Sequence, residues 1–257
     1  DSVIIKESGR DGVSWQAGWN RELFVPSHRK LWGGMFCFYG KVRPIGQKTS
    51  GPRLRADGNH ACLNHLEKEN SAMKVTLKDG SVKEYSQPMS VIDIAADISS
   101  GLARMACGGE LDGESVDLRT VVDRDCQLNI LTAKDEKGLA ALRHTASHVM
   151  AQAVKRLYPD AKLAIGPSIA DGFYYDVDFA SPITAEELEK IEAEMKKIIK
   201  EALPLERFTL PREEALALMK EKEEPYKVEL IEDLPEGEEI SFYKQGEFTD
   251  LCAGPHL

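Results

Sequence analysis

The chain lacks any long hydrophobic run: its apolar stretches are a few residues long, against the roughly 18 or more that a spanning helix needs. No membrane span is expected. The amino end, Asp1-Ser2-Val3-Ile4-Ile5-Lys6, also lacks the basic start and apolar core of about 7 to 15 residues that mark a secretory signal. Cysteine is scarce and odd in number, with five at positions 37, 62, 107, 126 and 252. Their irregular spacing argues against a disulfide framework and for reduced thiols in a cytoplasmic protein. Positive charge is in deficit, and the net charge of −10 works against nonspecific polyanion binding, so any nucleic-acid contact must be local. What remains is a globular composition, 42% apolar and 30% charged, in 257 residues, enough for two ordinary domains.

Residues 1–72 differ from the rest. They hold all three tryptophans, nine of the twenty glycines and eleven Lys and Arg against seven Asp and Glu, a balance of +4 where the remainder carries −14. No helical or strand period persists across them, and Ser-Gly-Arg-Asp-Gly and Thr-Ser-Gly-Pro-Arg break them up. A basic arm gripping nucleic acid is one reading. The expectation adopted is an unassigned leader, disordered or non-native, with Met73 as the natural start.

From Met73 the pattern sharpens. Met73–Leu77 and Val82–Tyr85 alternate around Asp79-Gly80, a β-hairpin with an Asp-Gly turn. Ser90 can cap a helix carrying Ile92, Ile94, Ala95, Ile98 and Leu102, broken at Cys107-Gly108-Gly109. Strands at 114–118 and 127–131 complete a ββαββ order, which suits a small β-grasp module over 73–134. That module clusters no titratable groups, so docking rather than chemistry is expected of it.

Residues 135–257 carry the chemistry. Leu139, Leu142, Ala146, Val149, Ala153 and Leu157 form one helical stripe. At about 100° per residue, His144 and His148 project together on the face roughly opposite it. The small neighbours Ala140 and Ala151 leave that face room for a substrate or a second segment. A strand is expected over Gly172–Phe179, a capped helix from Thr184 to near Glu201, and a short helix over 211–219. Residues 226–231 read as extended or newly helical, and 240–244 and 248–251 as strand-like. At the far end, Cys252 and His256 flank Ala-Gly-Pro, which must turn. Three of the six histidines and one cysteine thus fall in two segments that can converge, either as a tetrahedral metal set or as a proton-handling hydrolytic site.

Taken in order, His144-x-x-x-His148, Gly166-Pro167, Gly172-Phe173-Tyr174-Tyr175-Asp176, Tyr226-Lys227-Val228 and Asp250-Leu251-Cys252-x-Gly254-Pro255-His256 resemble the amino-terminal half of the bacterial-type threonyl-tRNA synthetase family. The resemblance covers residues 73–257 and implies an α+β chain: a ubiquitin-like β-grasp TGS domain (73–134), then an α+β editing domain (135–257) with a long motif-bearing helix. It implies hydrolysis of serine wrongly esterified to the threonine tRNA, with His144, His148, Lys227, Asp250, Cys252 and His256 as catalytic-site residues and Tyr175 at the pocket wall. His144 and Lys227 would handle the water and leaving-group protons, and Asp250 and Cys252 would hold the seryl group. No cofactor is implied in this part; ATP and catalytic zinc belong to the aminoacylation domain, which is not expected here. Seryl-charged tRNA is the implied partner, and the parent enzyme is expected to be a homodimer. Two alternatives stand beside this: a non-catalytic tRNA or ribosome docking module, and a zinc-dependent deacylase of the alanyl type with His144, His148, Cys252 and His256 as ligands. Because the sequence stops one residue after His256, the editing domain is also expected to be truncated.

Overall fold

The computed structural model describes residues 2–8, 14–20 and 72–257, which fall in one compact unit. The first module is built on a mixed sheet. Strands β3 (Met73–Leu77), β4 (Val82–Tyr85), β6 (Ala106–Leu111), β7 (Glu114–Val116) and β9 (Cys126–Thr132) order as β4-β3-β9-β6-β7, with β3 and β9 parallel. Two short strands, β5 (Met89–Ser90) and β8 (Val121–Val122), pair separately. Helix α1 (Val91–Ile98) lays Val91 and Ile94 against Val75 and Leu128, and this apolar contact is the main stabilising term of the module. Ser90 caps α1 by accepting the Asp93 N–H at 3.2 Å.

The helix does not run to a break at Cys107-Gly108-Gly109. Ser99 interrupts it by accepting the Leu102 N–H at 2.9 Å and starts a second helix, α2 (Ser100–Met105). The glycines then lie within β6, because Gly109 faces α1: a Cβ there would lie 2.9 Å from a Val91 methyl.

The second module centres on α3 (Glu136–Leu157). Strand β12 (Gly172–Asp178) pairs with β10 (Lys162–Leu163) and β11 (Ser168–Ile169). Helix α4 (Ala185–Glu201) packs beside α3, burying Ile191 and Ile198 with Val149, Val154, Phe173 and Val177. A three-stranded antiparallel sheet follows, β13 (Leu205–Leu210), β14 (Ile240–Gln245) and β15 (Phe248–Leu251), its apolar face covered by α5 (Arg212–Glu221) and α6 (Pro225–Asp233) through Met219, Ile231, Ile240 and Phe242. Residues 226–231, open between two readings in the sequence, are helical because Pro225 starts α6 at the position where its missing N–H costs nothing.

Two of the expected leader's segments are strands. β1 (Ser2–Ser8) pairs antiparallel with β12, and β2 (Ser14–Asn20) with β1; the β-branched run Val3-Ile4-Ile5 favours this conformation. The rest of the leader expectation, residues 1, 9–13 and 21–71, lies outside the described residues.

The face of α3 that carries the histidines is occupied by a second segment, one of the two occupants for which its small neighbours leave room. From Ser147 to Val154 every residue is buried, since α3 touches β6 and β9 on one side, α4, β11 and β12 on another, and β15 on a third. A single stripe predicts one packed face, whereas a central helix is packed all round. The start of α3 is especially tight: a Cβ on Gly138 would lie 2.2 Å from the Thr132 carbonyl oxygen. Gly138→Ala is therefore expected to destabilise the chain by about 1 to 3 kcal/mol in denaturant unfolding, and a loss below about 0.5 kcal/mol would contradict this close junction.

Candidate functional site

Four elements, α3, β12, α6 and β15, meet at the carboxyl-terminal turn. Helix α3 supplies His144 and His148 and is tied to the loop before β11 by Ser147, whose hydroxyl donates to the Gly166 carbonyl at 2.7 Å. Strand β12 supplies Tyr175, whose ring lies where a Cβ on Gly166 would sit, 2.2 Å away. Helix α6 supplies Lys227 from its first turn. Its start is clamped by the buried Glu224, which pairs with Lys155 at 2.7 Å and accepts the Leu163 N–H at 2.8 Å. Asp250 comes from β15, and Cys252 and His256 from the turn beyond it.

The structure brings together all seven residues singled out in the sequence. Lys227 Nζ stands 2.6 Å from Asp250 Oδ1 and donates to the Tyr175 hydroxyl at 3.0 Å. The same hydroxyl donates to Asp250 Oδ2 at 2.5 Å. His148 Nε2 lies 3.7 Å from that oxygen and leads to the second half of the site. There the rings of His144 and His148 both pack on His256, with centroids 4.3 and 4.2 Å away. Cys252 Sγ is 3.3 Å from both His144 Nε2 and His256 Nε2, and accepts the Gly254 N–H at 3.2 Å.

Three further residues complete the arrangement. Thr145, inside the His-x-x-x-His motif, places Oγ1 3.1 Å from His256 Nδ1. Asp117, from the β-grasp module, accepts the His256 backbone N–H at 2.5 Å and the Tyr243 hydroxyl at 2.7 Å. Tyr243 packs its ring on His256 at 4.3 Å, over a Gly254 that has φ +77° and leaves room for no Cβ. Neither Asp117 nor Tyr243 belongs to a motif; Thr145 had a signal, its place between the two histidines.

Burial dominates the electrostatics. It lowers the pKa of His144 and pushes those of His148 and His256 well below the usual imidazole value, and the histidines also repel one another's protonation. All three are neutral near pH 7. Burial pushes the Cys252 thiol up to about 12, so it is a protonated hydrogen-bonding group and not a thiolate nucleophile. Tyr175 is raised well above its ordinary value by burial and by Asp250, and stays a phenol.

The His144, His148, Cys252 and His256 donor atoms lie within 4.8 Å of one another. Tetrahedral zinc, with Zn–N near 2.0–2.1 Å and Zn–S near 2.3 Å, sets its ligand atoms roughly 3.5 Å apart, so the donor set is chemically suited to one ion. On the other side of Lys227 and Asp250, a cleft of about 350 Å³ is walled by Gln152, Leu163, Met219 and Phe248 and rimmed by Lys155, Arg156 and Lys222. Its size is that of a small-ligand pocket.

Residues 73–132 match the TGS domain family. Over 185 residues the chain is 65% identical to the threonine–tRNA ligase of Acetivibrio thermocellus, 61% identical to that of Clostridioides difficile and 64% identical to that of Clostridium botulinum strain Hall. Each match covers 72% of this chain and 29% of the relative, so the chain spans less than a third of the length of these relatives. Among the described residues no helix is long and apolar enough to cross a membrane.

The buried groups fix the pH dependence of stability. Histidines whose folded pKa is depressed bind fewer protons than in the unfolded chain, so stability is complete above about pH 6.5 and falls below it. The loss approaches about 1.4 kcal/mol per pH unit for each histidine. Cys252, raised from 9.0 to about 12, acts in the opposite sense and removes stability as pH rises past about 9. Denaturant unfolding across pH is expected to show a plateau between these limits, and an acid arm that flattens in His148→Gln; an unchanged acid arm in that variant would contradict the assignment.

Proposed function

We propose that this chain, a TGS-domain homologue of the amino-terminal region of threonine–tRNA ligases, hydrolyses serine mis-esterified to the threonine tRNA. The carrying observation is the convergence of the Lys227–Asp250 pair with the His144, His148, Cys252 and His256 cluster in one buried centre beside a small-ligand cleft. Serine is threonine less one methyl, a difference that binding alone discriminates by only about 10- to 200-fold, so a second hydrolytic sieve is chemically required.

The groups suit ester hydrolysis without a covalent enzyme intermediate. A neutral His144 can take a proton from water as it attacks the seryl carbonyl carbon, and the Lys227 ammonium, compensated by Asp250, can hand a proton to the departing ribose oxygen. Asp250 and the protonated Cys252 offer polar contacts to the seryl ammonium and hydroxyl. Tyr175, buried behind the cleft, holds the pair in place by accepting from Lys227 and donating to Asp250. The tRNA contact is local in character for a chain of net charge −10: on the cleft rim Lys155 and Arg156 are held by Glu224 and by Glu194, Glu201 and Glu247, and Lys222 is the further cation beside them. The reading carries with it a cytoplasmic site of action and, for the longer relatives' architecture, a homodimer.

A second reading has one observation in its favour. The two 3.3 Å separations from Cys252 Sγ to imidazole nitrogens are close to those of a tetrahedral zinc site. In that case His144, His148, Cys252 and His256 would hold the ion, which would polarise the ester carbonyl or its attacking water. We favour the metal-free form, because the Lys227–Asp250 pair already supplies proton handling at the same centre.

Serine release from seryl-tRNA specific for threonine, with threonyl-tRNA as control, tests both. Release is expected from the seryl ester alone, slowed about 10²- to 10⁴-fold in His144→Ala and insensitive to chelators. Equal release from His144→Ala, or none from the parent chain, would defeat the hydrolase reading; stoichiometric zinc lost with activity in Cys252→Ser would establish the second form.

A further inference from the structure

We infer that His256 is held as its Nδ1-protonated tautomer by two positioning residues, Thr145 on α3 and Asp117 of the TGS domain, so that its Nε2 lone pair is presented to the Cys252 thiol. The tautomer follows from counting protons at Thr145. A hydroxyl has one proton and two lone pairs, and Thr145 Oγ1 has three neighbours: the Ala141 carbonyl at 3.0 Å, the Leu257 N–H at 3.1 Å and His256 Nδ1 at 3.1 Å. The carbonyl can only accept and the amide can only donate. If the hydroxyl gave its proton to His256, two oxygen lone pairs would face each other at 3.0 Å across Ala141. With the proton on Ala141, the back-bond usual for a helical threonine, both lone pairs are taken by N–H donors, and Nδ1 of His256 must carry hydrogen.

Nε2 is then a bare acceptor 3.3 Å from Cys252 Sγ. The sulfur already accepts the Gly254 N–H at 3.2 Å, so its own S–H is free to turn to His256. Cys252 Sγ is equally 3.3 Å from His144 Nε2, so one thiol proton serves two imidazoles; turned to His256, it leaves His144 Nε2 as an available base.

Asp117 holds the ring where this chain of bonds can form. Its two carboxylate oxygens take separate donors on either side of His256: Oδ1 the backbone N–H and Oδ2 the hydroxyl of Tyr243, whose ring packs against the imidazole. Asp117 is 7% exposed, so the contact is not a passing surface bond. It makes the TGS domain a structural wall of the site and gives that domain a task besides docking.

The tautomer assignment stands on geometry; only its kinetic consequence rests on the proposed hydrolase reading. The experiment is long-range proton–nitrogen NMR of the histidine side chains in the full chain, near neutral pH. The pattern that disappears in His256→Asn is expected to show a protonated Nδ1 and a bare Nε2, retained in Thr145→Ser and lost in Thr145→Val. Asp117→Asn, which offers one acceptor oxygen in place of two, is expected to bring in a second population. In seryl-tRNA hydrolysis, Thr145→Val and Asp117→Ala are expected to lower kcat roughly 10- to 100-fold with KM within about twofold, and Thr145→Ser to restore it. A bare Nδ1 on His256 in the parent chain, or a pattern unchanged in Thr145→Val, overturns the assignment. The expected pattern in a parent chain that releases no serine supports the tautomer and overturns the hydrolase.

Discussion

The structure of the second module depends on one buried ion pair, Lys227 with Asp250. Their side chains are only 4% and 2% exposed, and an ion stripped of water costs several kcal/mol even after the protein relaxes. That cost is tolerable only with close partners, and here they are Nζ to Oδ1 at 2.6 Å and the Tyr175 hydroxyl bridging both ions at 3.0 and 2.5 Å. Such a pair adds little net stability compared with apolar packing. What it does is select geometry: α6, β15 and β12 must all dock in register before the charges are compensated. The supports around it serve the same end, with Glu224 clamping the start of α6 and Gly166 making room for the Tyr175 ring.

The pair also sets the chemistry of its neighbours. The imidazoles alongside are buried, crowded together and neutral, and the nearby thiol keeps its proton. A site of neutral bases next to a compensated ammonium can move protons in both directions without first paying to charge itself. Ester hydrolysis needs that combination, one group to accept from water and another to donate to the leaving oxygen. The TGS domain enters this centre through Asp117, so the two modules meet at one buried cluster.

Much of this was legible in the sequence, for reasons that differ from residue to residue. The hairpin at Asp79-Gly80, the Ser90 cap and the helices beginning at Glu136 and Ala185 follow local rules of turn, cap and period, which tertiary contacts did not override. His144 and His148 could be paired because helical spacing is local, and Cys252 and His256 because a short turn joins them. What could not be read was the environment. The small neighbours of the histidine face leave room for a substrate or a second segment; only the fold shows that the Cys252–His256 turn takes that place and buries the histidines. The break expected at Cys107-Gly108-Gly109 is a strand because only the packed α1 shows why glycine is needed at 109. Asp117 carried no local signal at all, its partners being 126 and 139 positions away in sequence.

A thermodynamic cycle on Lys227 and Asp250 shows whether the second module depends on their pairing. Lys227→Met, Asp250→Asn and the double variant would be compared by denaturant unfolding at one pH. Each single change leaves a buried group uncompensated and is expected to cost about 3 to 5 kcal/mol, while the double variant costs far less than their sum. Costs that add to within about 0.5 kcal/mol would mean that the two charges do not act as a pair and that the site is held together by something else.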